Sequence, residues 1–342
     1  MKLRTIKLKN YRCYKDLELE LHPSFNVLVG INGAGKSSLL EAMRISLGSL
    51  FLNVHKFASK IYSPGFLDGD VRLEHLEMQY PVSVYSECFV SNQLNNNELI
   101  TWERSQDKYK GRTTVVKAKE MKKVSSTLQE IIQDRKEVNI PLVAYFSADR
   151  YKKEGSTIGL EPEGSRLRGY YNSLDLKTSI KYFLSLLKTE TLSDLQHGTQ
   201  STILEAVSNA VVKCIDDCRK IYHNVKRDEL IIELKSIDDA MPFYSLSDGI
   251  RCTLAMVMEI AYRCCLLNPH LREKAALETS GVVLIDEIDL HLHPSWQKKI
   301  LSDLKQVFPN IQFIVSTHSP LVIGSLNDGE IYDISENQIF LR

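Results

Sequence analysis

The opening of the chain alternates apolar and polar positions in short runs. Leu3 to Leu8 and Leu17-Glu-Leu-Glu-Leu21 follow the period of two expected of half-buried strands. Phe25-Asn-Val-Leu-Val29 is apolar almost throughout, the pattern of a strand covered on both faces. Asn10-Tyr-Arg-Cys13 and His22-Pro-Ser24 separate these runs as turns, and a helix is predicted from Ser37 to Arg44. The chain turns irregular around Ser63-Pro-Gly65 and Asp68-Gly-Asp70. Further strands are predicted at Val82–Tyr85 and Leu99–Arg104, flanking a polar Asn-rich turn at 95–97. Another runs from Pro141 to Phe146 and ends at Ser147-Ala-Asp-Arg150. From roughly 173 to 225 apolar residues recur at helical spacing, as in Ile203, Val207, Val211 and Ile215, and the stretch is expected to be helical. Beyond Pro242 two more apolar runs, Gly281–Ile285 and Gln312–Val315, read as buried strands. No internal repeat is present, nor heptads sustained enough for a coiled-coil arm.

The chemistry concentrates where apolar strands end. Gly30-Ile-Asn-Gly-Ala-Gly35-Lys36-Ser37 fits a phosphate-binding loop at every fixed position and lies between a predicted strand and a predicted helix. Glycines let successive N–H groups turn inward around a polyphosphate, and the helix terminus adds its positive dipole end. The expected nucleotide contacts are Gly30, Asn32, Gly33, Ala34, Gly35, Lys36, Ser37 and Ser38. Lys36 reaches the terminal phosphates and Ser37 ligates Mg²⁺, which implies ATP or GTP. The run Gly281–Ile285 ends in Asp286 and Glu287, expected to hold hydrated Mg²⁺ and to polarise the attacking water, respectively. Gln312–Val315 ends in Ser316-Thr-His318, which places His318 beside the γ-phosphate unless it merely caps its strand. Tyr244-Ser-Leu-Ser247-Asp-Gly249 precedes a helical run from Thr253 to Arg263, and such small residues before a helix make a second anion site. One pocket does not need two such sites, so the second is expected to serve a nucleotide held by another copy of the chain.

Bulk composition narrows the setting. The 342 residues suit two average domains or one large α/β domain with an insertion, and 43% apolar with 25% charged residues is ordinary for a chain with a real core. The 43 basic and 43 acidic residues cancel, so any nucleic-acid contact must rest on a local patch. One such patch spans 104–123, with eight Lys or Arg against two acids, from Arg104 through Lys108, Lys110, Arg112, Lys117, Lys119 and Lys122 to Lys123. Trp102 and Tyr109 lie among these charges as stacking on bases would require; the alternative is a solvated hairpin and helix face. Arg150, Lys152, Lys153, Arg166 and Arg168 form a second cluster, suited to DNA or a protein partner. The N-terminus has no hydrophobic run of a signal peptide and no window is long enough to span a bilayer. Seven cysteines without C-x-x-C spacing fit reduced thiols in the cytoplasm; Cys214 and Cys218, four apart, leave half a metal site as the other reading.

Taken in order, these motifs resemble an ATP-binding-cassette ATPase head, with phosphate loop at 30–37, signature at 246–251, Walker B at 282–287 and switch histidine at 318. The signature reads Leu-Ser-Asp-Gly-Ile where the family commonly has Leu-Ser-Gly-Gly-Gln, but it keeps Ser247 and Gly249, which the resemblance implies approach the γ-phosphate, and Asp289 matches the D-loop aspartate. No glutamine marks the Q-loop, for which Phe146 to Arg150 is the positional candidate. Ile6-Lys-Leu-Lys-Asn-Tyr-Arg-Cys13 and Asp286-Glu-Ile-Asp-Leu-His-Leu-His-Pro294 are similar to the RecF, SMC and OLD group rather than to transporters. With no zinc-hook C-x-x-C and little chain after His318, the sequence resembles the compact ATPase subunits (PtuA) of Septu-type anti-phage defence systems.

That resemblance implies an α/β ATPase head, with a RecA-like core, an antiparallel N-terminal sheet and a helical insertion in place of a coiled coil. The whole of 1–342 is expected to be a single domain, with an N-terminal lobe at 1–150, the insertion at 151–240 and the signature, Walker B and switch lobe at 241–342. It implies an ATP hydrolase with Mg²⁺, two copies sandwiching ATP, catalytic roles for Lys36, Glu287 and His318, and control of a separately encoded HNH nuclease. A RecF-like repair ATPase is the alternative, and a transporter cassette, which would need a membrane partner, is disfavoured by the N-terminal block.

Overall fold

The computed structural model describes residues 1–54, 61–91, 93–95, 99–150, 165–176, 180–198, 201–215, 217–235, 239–326, 329–335 and 338–341. Among these, six strands form the central sheet in the order Gln338–Leu341, Ile331–Ser335, Phe25–Val29, Ile311–Ser316, Gly281–Ile285 and Leu142–Phe146. All neighbours pair in parallel except the terminal hairpin. The four strands from Phe25–Val29 to Leu142–Phe146 are buried at every position, which is why they read as unbroken apolar runs. Their carboxyl ends share one rim, where a sheet of this kind binds its ligand.

A second, antiparallel sheet has the order Tyr14–Glu20, Lys2–Tyr11, Val82–Phe89 and Leu99–Gln106. Gln312, fully buried in a central strand, stitches the two sheets together: its Oε1 accepts from Leu3 N and its Nε2 donates to Leu3 O, both at 2.8 Å. The Lys36–Leu47 helix packs against both sheets. Its Ser46 carbonyl accepts from Trp102 Nε1 at 3.0 Å, and its Ser46 hydroxyl meets that of Ser86 at 2.6 Å. The phosphate loop is therefore seated on a helix clamped from two sides.

The expected α/β architecture with an antiparallel N-terminal sheet is present, and the described residues contain no long coiled coil. Within the insertion, helices Ile180–His197 and Thr202–Cys214 occupy part of the stretch predicted as helical. The helical reading runs too far, because Cys218–Asn224, Glu229–Leu234 and Ala240–Pro242 form a three-stranded antiparallel sheet. Past Ile215 the apolar spacing changes from four to the short apolar run Leu230-Ile-Ile232, whose two β-branched isoleucines favour a strand. Cys214 thus ends a helix and Cys218 begins a strand; both are buried, and among the described residues no group of three or more His, Cys, Asp or Glu is assembled for a metal.

The Asp248–Leu267 helix packs beside strand Leu142–Phe146 and is followed by Asn268, fully buried. The Asn268 side chain accepts from Ile140 N at 2.8 Å and donates to Ile140 O at 3.0 Å. Among the described residues no helix is long and apolar enough to cross a membrane.

Candidate nucleotide-binding site

Strand Phe25–Val29 carries the chain to the rim of the sheet, and residues 30–35 wrap back to start the Lys36–Leu47 helix. Gly35 has φ 105°, and a Cβ there would lie 2.5 Å from Tyr14 Oη and 2.7 Å from Cys13 Sγ, so only glycine fits. The helix starts without a side-chain cap and without an acidic residue in its first turn. Its leading N–H groups stay open to an anion. Lys36 is buried, and its Nζ donates to the carbonyls of Gly30 and Ile31, each at 2.9 Å. Burial pushes this ammonium below its ordinary range, while the charges of Asp286, Glu287 and Asp289 oppose the shift. Two carbonyl oxygens thus hold the ammonium in the way phosphate oxygens would.

The facing wall comes from the Gly281–Ile285 and Ile311–Ser316 strand ends. Asp286 is buried, and its Oδ1 accepts from Ser316 Oγ at 2.5 Å. The same Oγ accepts from Glu287 N at 2.8 Å. Glu287 adopts φ 50°, a left-handed conformation that costs a non-glycine residue roughly 1–2 kcal/mol. Asp289 Oδ1 accepts from Thr317 Oγ1 at 2.5 Å, which ties the turn after Glu287 to the segment leading to His318.

These walls enclose a cleft of about 400 Å³ whose lining includes Lys36, Ser37, Asp286, Glu287 and His318. Asn32, Gly33, Gly35 and Ser38 line it too, whereas Gly30 and Ala34 shape the loop from outside the lining. The Ser37 hydroxyl and Asp286 carboxylate are hard oxygen donors of the kind Mg²⁺ takes, so these two residues would hold it. Ser247 and Gly249 do not line this cleft. Ser247 is exposed at the start of the Asp248–Leu267 helix. Gly249 is buried with its α-carbon against the His291 carbonyl, in a space that admits no Cβ.

Sequence reasoning missed three residues of the cleft, Arg12, Cys13 and Ser316. Arg12 bridges Glu41 at 2.7 Å and Asp70 at 2.8 Å, so its charge is met by two carboxylates. No spacing in the sequence links the Asn10–Cys13 turn to the phosphate loop; only the packing of the antiparallel sheet brings them together. Ser316 carried a signal, as a hydroxyl at the end of a buried strand beside a second strand ending in Asp-Glu.

The proposed nucleic-acid patch is corrected in part. Trp102 is 1% exposed and cannot stack on a base, and Arg104 is 3% exposed with Nη1 donating to Ser49 and Ser63 hydroxyls. Burial pushes the Arg104 guanidinium down to about 10. Both point inward because they share strand parity with Ile100. Lys117 is paired with Glu103 at 3.0 Å, while Lys108, Tyr109, Lys110, Arg112, Lys119 and Lys123 are exposed and Lys122 is half-buried. In the second cluster Arg150 is buried and Arg166 is spent on the carbonyls of Leu267, Lys136 and Val138, so neither presents its charge at the surface. Arg168 is half-buried, and Lys152 and Lys153 lie outside the described residues.

Comparison with known proteins bears on the family and the fold. A family model described as an AAA domain matches residues 5–239. The probable ATPase of retron Vc95 from Vibrio cholerae is 26% identical, over 98% of this chain and 74% of that protein. Septu protein PtuA from Bacillus mycoides is 25% identical over 98% of this chain but only 41% of its own length, so the chain spans less than half of that relative. The replication and repair protein RecF of Lactococcus lactis is 51% identical over 43 residues, 13% of this chain. Among solved structures, an SMC head bound to the C-winged helix domain of ScpA superposes with a TM-score of 0.55 at 16% identity, covering 97% of this chain and 94% of that one. The SMC head domain from Thermotoga maritima gives 0.52 at 14%, with the same coverage. The chain belongs to the AAA domain family and has the fold of an SMC-type ATPase head.

Proposed function

We propose that this protein hydrolyses ATP as a nucleotide-gated dimer and regulates a separately encoded nuclease in anti-phage defence. The observation that carries the ATPase reading is the meeting of Lys36, Ser37, Asp286, Glu287 and His318 in one cleft. Lys36 holds the β- and γ-phosphates. Ser37 and Asp286 would hold Mg²⁺, which when bound would supply charge neutralisation at the phosphates. Glu287 orients a water for in-line attack on the γ-phosphorus, the bond to the β,γ-bridging oxygen breaks, and His318 contacts the γ-phosphate. Ser247, exposed and outside the cleft, fits a role toward ATP held by a second copy, with Gly249 setting the start of its helix.

The defence role rests on likeness to retron ATPases and PtuA, and an HNH nuclease is the proposed partner. The exposed cations Lys108, Lys110, Arg112, Lys119 and Lys123 are the remaining candidates for DNA contact. A RecF-like repair role is the second reading, favoured by the 43-residue match to RecF. The test is Glu287→Gln, which should bind ATP and dimerise while hydrolysing little. Wild-type turnover in that variant would remove Glu287 from its role. Affinity purification of this variant with ATP then separates the two settings: a stoichiometric small nuclease supports defence, and recombination proteins or DNA alone support repair.

A further inference from the structure

Arg150 lies four residues beyond strand Leu142–Phe146, and its guanidinium is buried against the Walker B turn. Nη1 donates to the Asp286 carbonyl at 2.6 Å and Nη2 donates to the Glu287 carbonyl at 2.9 Å. Those carbonyls belong to the two peptide planes that flank the Glu287 α-carbon. The N–H ends of the same planes are held as well, Glu287 N by Ser316 Oγ at 2.8 Å and Ile288 N by Ser316 O at 3.0 Å. A planar peptide fixed at both ends cannot rotate, so two such planes set φ and ψ of the residue between them. That residue is Glu287, held at φ 50°. Among the described residues nothing hydrogen-bonds its carboxylate, so the backbone sets the direction in which the side chain leaves. Arg150 is itself anchored, with its N and Nη1 both donating to Ser147 O at 3.1 Å.

We propose that Arg150 is a positioning residue for hydrolysis, its forked grip on the Asp286 and Glu287 carbonyls aiming the Glu287 carboxylate at the attacking water. This rests on the reading of Glu287 as the water-orienting group. The planar fork suits two carbonyls at once, whereas lysine is a point donor, so Arg→Lys is not conservative here.

The experiment measures Mg²⁺-ATP turnover and the affinity for a fluorescent ADP analogue. It compares wild type, Arg150→Gln, Arg150→Lys, Glu287→Gln and the double variant Arg150→Gln/Glu287→Gln. In Arg150→Gln, kcat should fall about 10- to 100-fold, the scale of a catalytic group misplaced by ~1 Å. Arg150→Lys should lose less, and KM and ADP affinity should stay within about threefold in both, as for a group that acts on the chemical step. Because Arg150 acts through Glu287, the double variant should be no slower than Glu287→Gln alone. Wild-type kcat in Arg150→Gln overturns the assignment. So does a loss that repeats in full in the Glu287→Gln background, or a parallel loss of ADP affinity, which marks a merely structural role. If Arg150→Gln does not fold, Arg150→Lys and its double with Glu287→Gln are judged by the same criteria. Wild-type turnover no faster than that of Glu287→Gln would instead defeat the hydrolysis reading itself.

Discussion

Ser316→Ala tests how the acidic wall of the cleft is built. Ser316 is fully buried, and its hydroxyl donates to Asp286 Oδ1 at 2.5 Å while accepting from Glu287 N at 2.8 Å. Alanine deletes a bond to a charged group, ~1.5–3 kcal/mol, and strands a buried amide, ~1–3 kcal/mol. Asp286 lines the cleft, where water can reach its freed oxygen, so the lower ends apply and the sum is about 2–3 kcal/mol. Urea unfolding should show a lower midpoint at unchanged slope. The functional readout is the Mg²⁺ dependence of ATP turnover. A carboxylate that loses its orienting partner typically costs ~10- to 100-fold in metal affinity, and half-saturating Mg²⁺ should rise by that factor. An unchanged urea midpoint together with an unchanged Mg²⁺ titration would refute the reasoning, because it would show that the hydroxyl neither supports nor orients Asp286.

Other outcomes follow from the same geometry. Lys36→Ala should abolish nucleotide binding in a fluorescence titration, since it removes the cation seated within the phosphate loop. Stripping divalent cations with EDTA should stop turnover, and restoring Mg²⁺ should recover it; turnover that persists in EDTA would remove Ser37 and Asp286 from metal binding. Trp102→Ala should destabilise the protein by ~3–5 kcal/mol, the usual cost of emptying a buried aromatic site, with no change in DNA affinity relative to its folded fraction. Replacing Lys108, Lys110, Lys119 and Lys123 by Gln should flatten the salt dependence of DNA binding by ~0.9 in log–log slope for each phosphate no longer neutralised. An unchanged slope would sink the idea that these lysines meet DNA.

The grouping of the candidate site was largely legible because buried parallel strands write themselves as apolar runs, and their polar residues fall together at one rim. Phe25–Val29 before Lys36, Gly281–Ile285 before Asp286 and Ile311–Ser316 before His318 are three instances of one rule. The sheet at 218–242 was illegible because the four-residue spacing through Ile215 suggested a continuing helix, and a hairpin on an insertion has only weak alternation to announce it. Arg104 was misread although its signal was present: a charge counted as part of a basic run also stood on the inward side of a strand, two residues from Trp102. Arg12 stood in a predicted turn and Arg150 closed the positional Q-loop candidate, but neither signal pointed to the partners each one grips. Each acts through tertiary contact, Arg12 with Glu41 and Asp70, Arg150 with backbone carbonyls 136 and 137 residues away.

The close seat of Gly249 on the His291 carbonyl has a mechanical consequence. With no side chain between them, the turn that follows Glu287 abuts the first turn of the Asp248–Leu267 helix directly. That helix is 20 residues long, so about 30 Å, and most of its side chains are buried, which leaves it little room to bend. Its far end passes into Asn268, whose side chain grips Ile140 at both N–H and C=O, just ahead of strand Leu142–Phe146. The helix is therefore a strut with one foot on the acidic turn of the cleft and the other on the approach to the sheet edge. A shift of that turn would be carried along the helix and arrive as a push on Ile140, about 30 Å away.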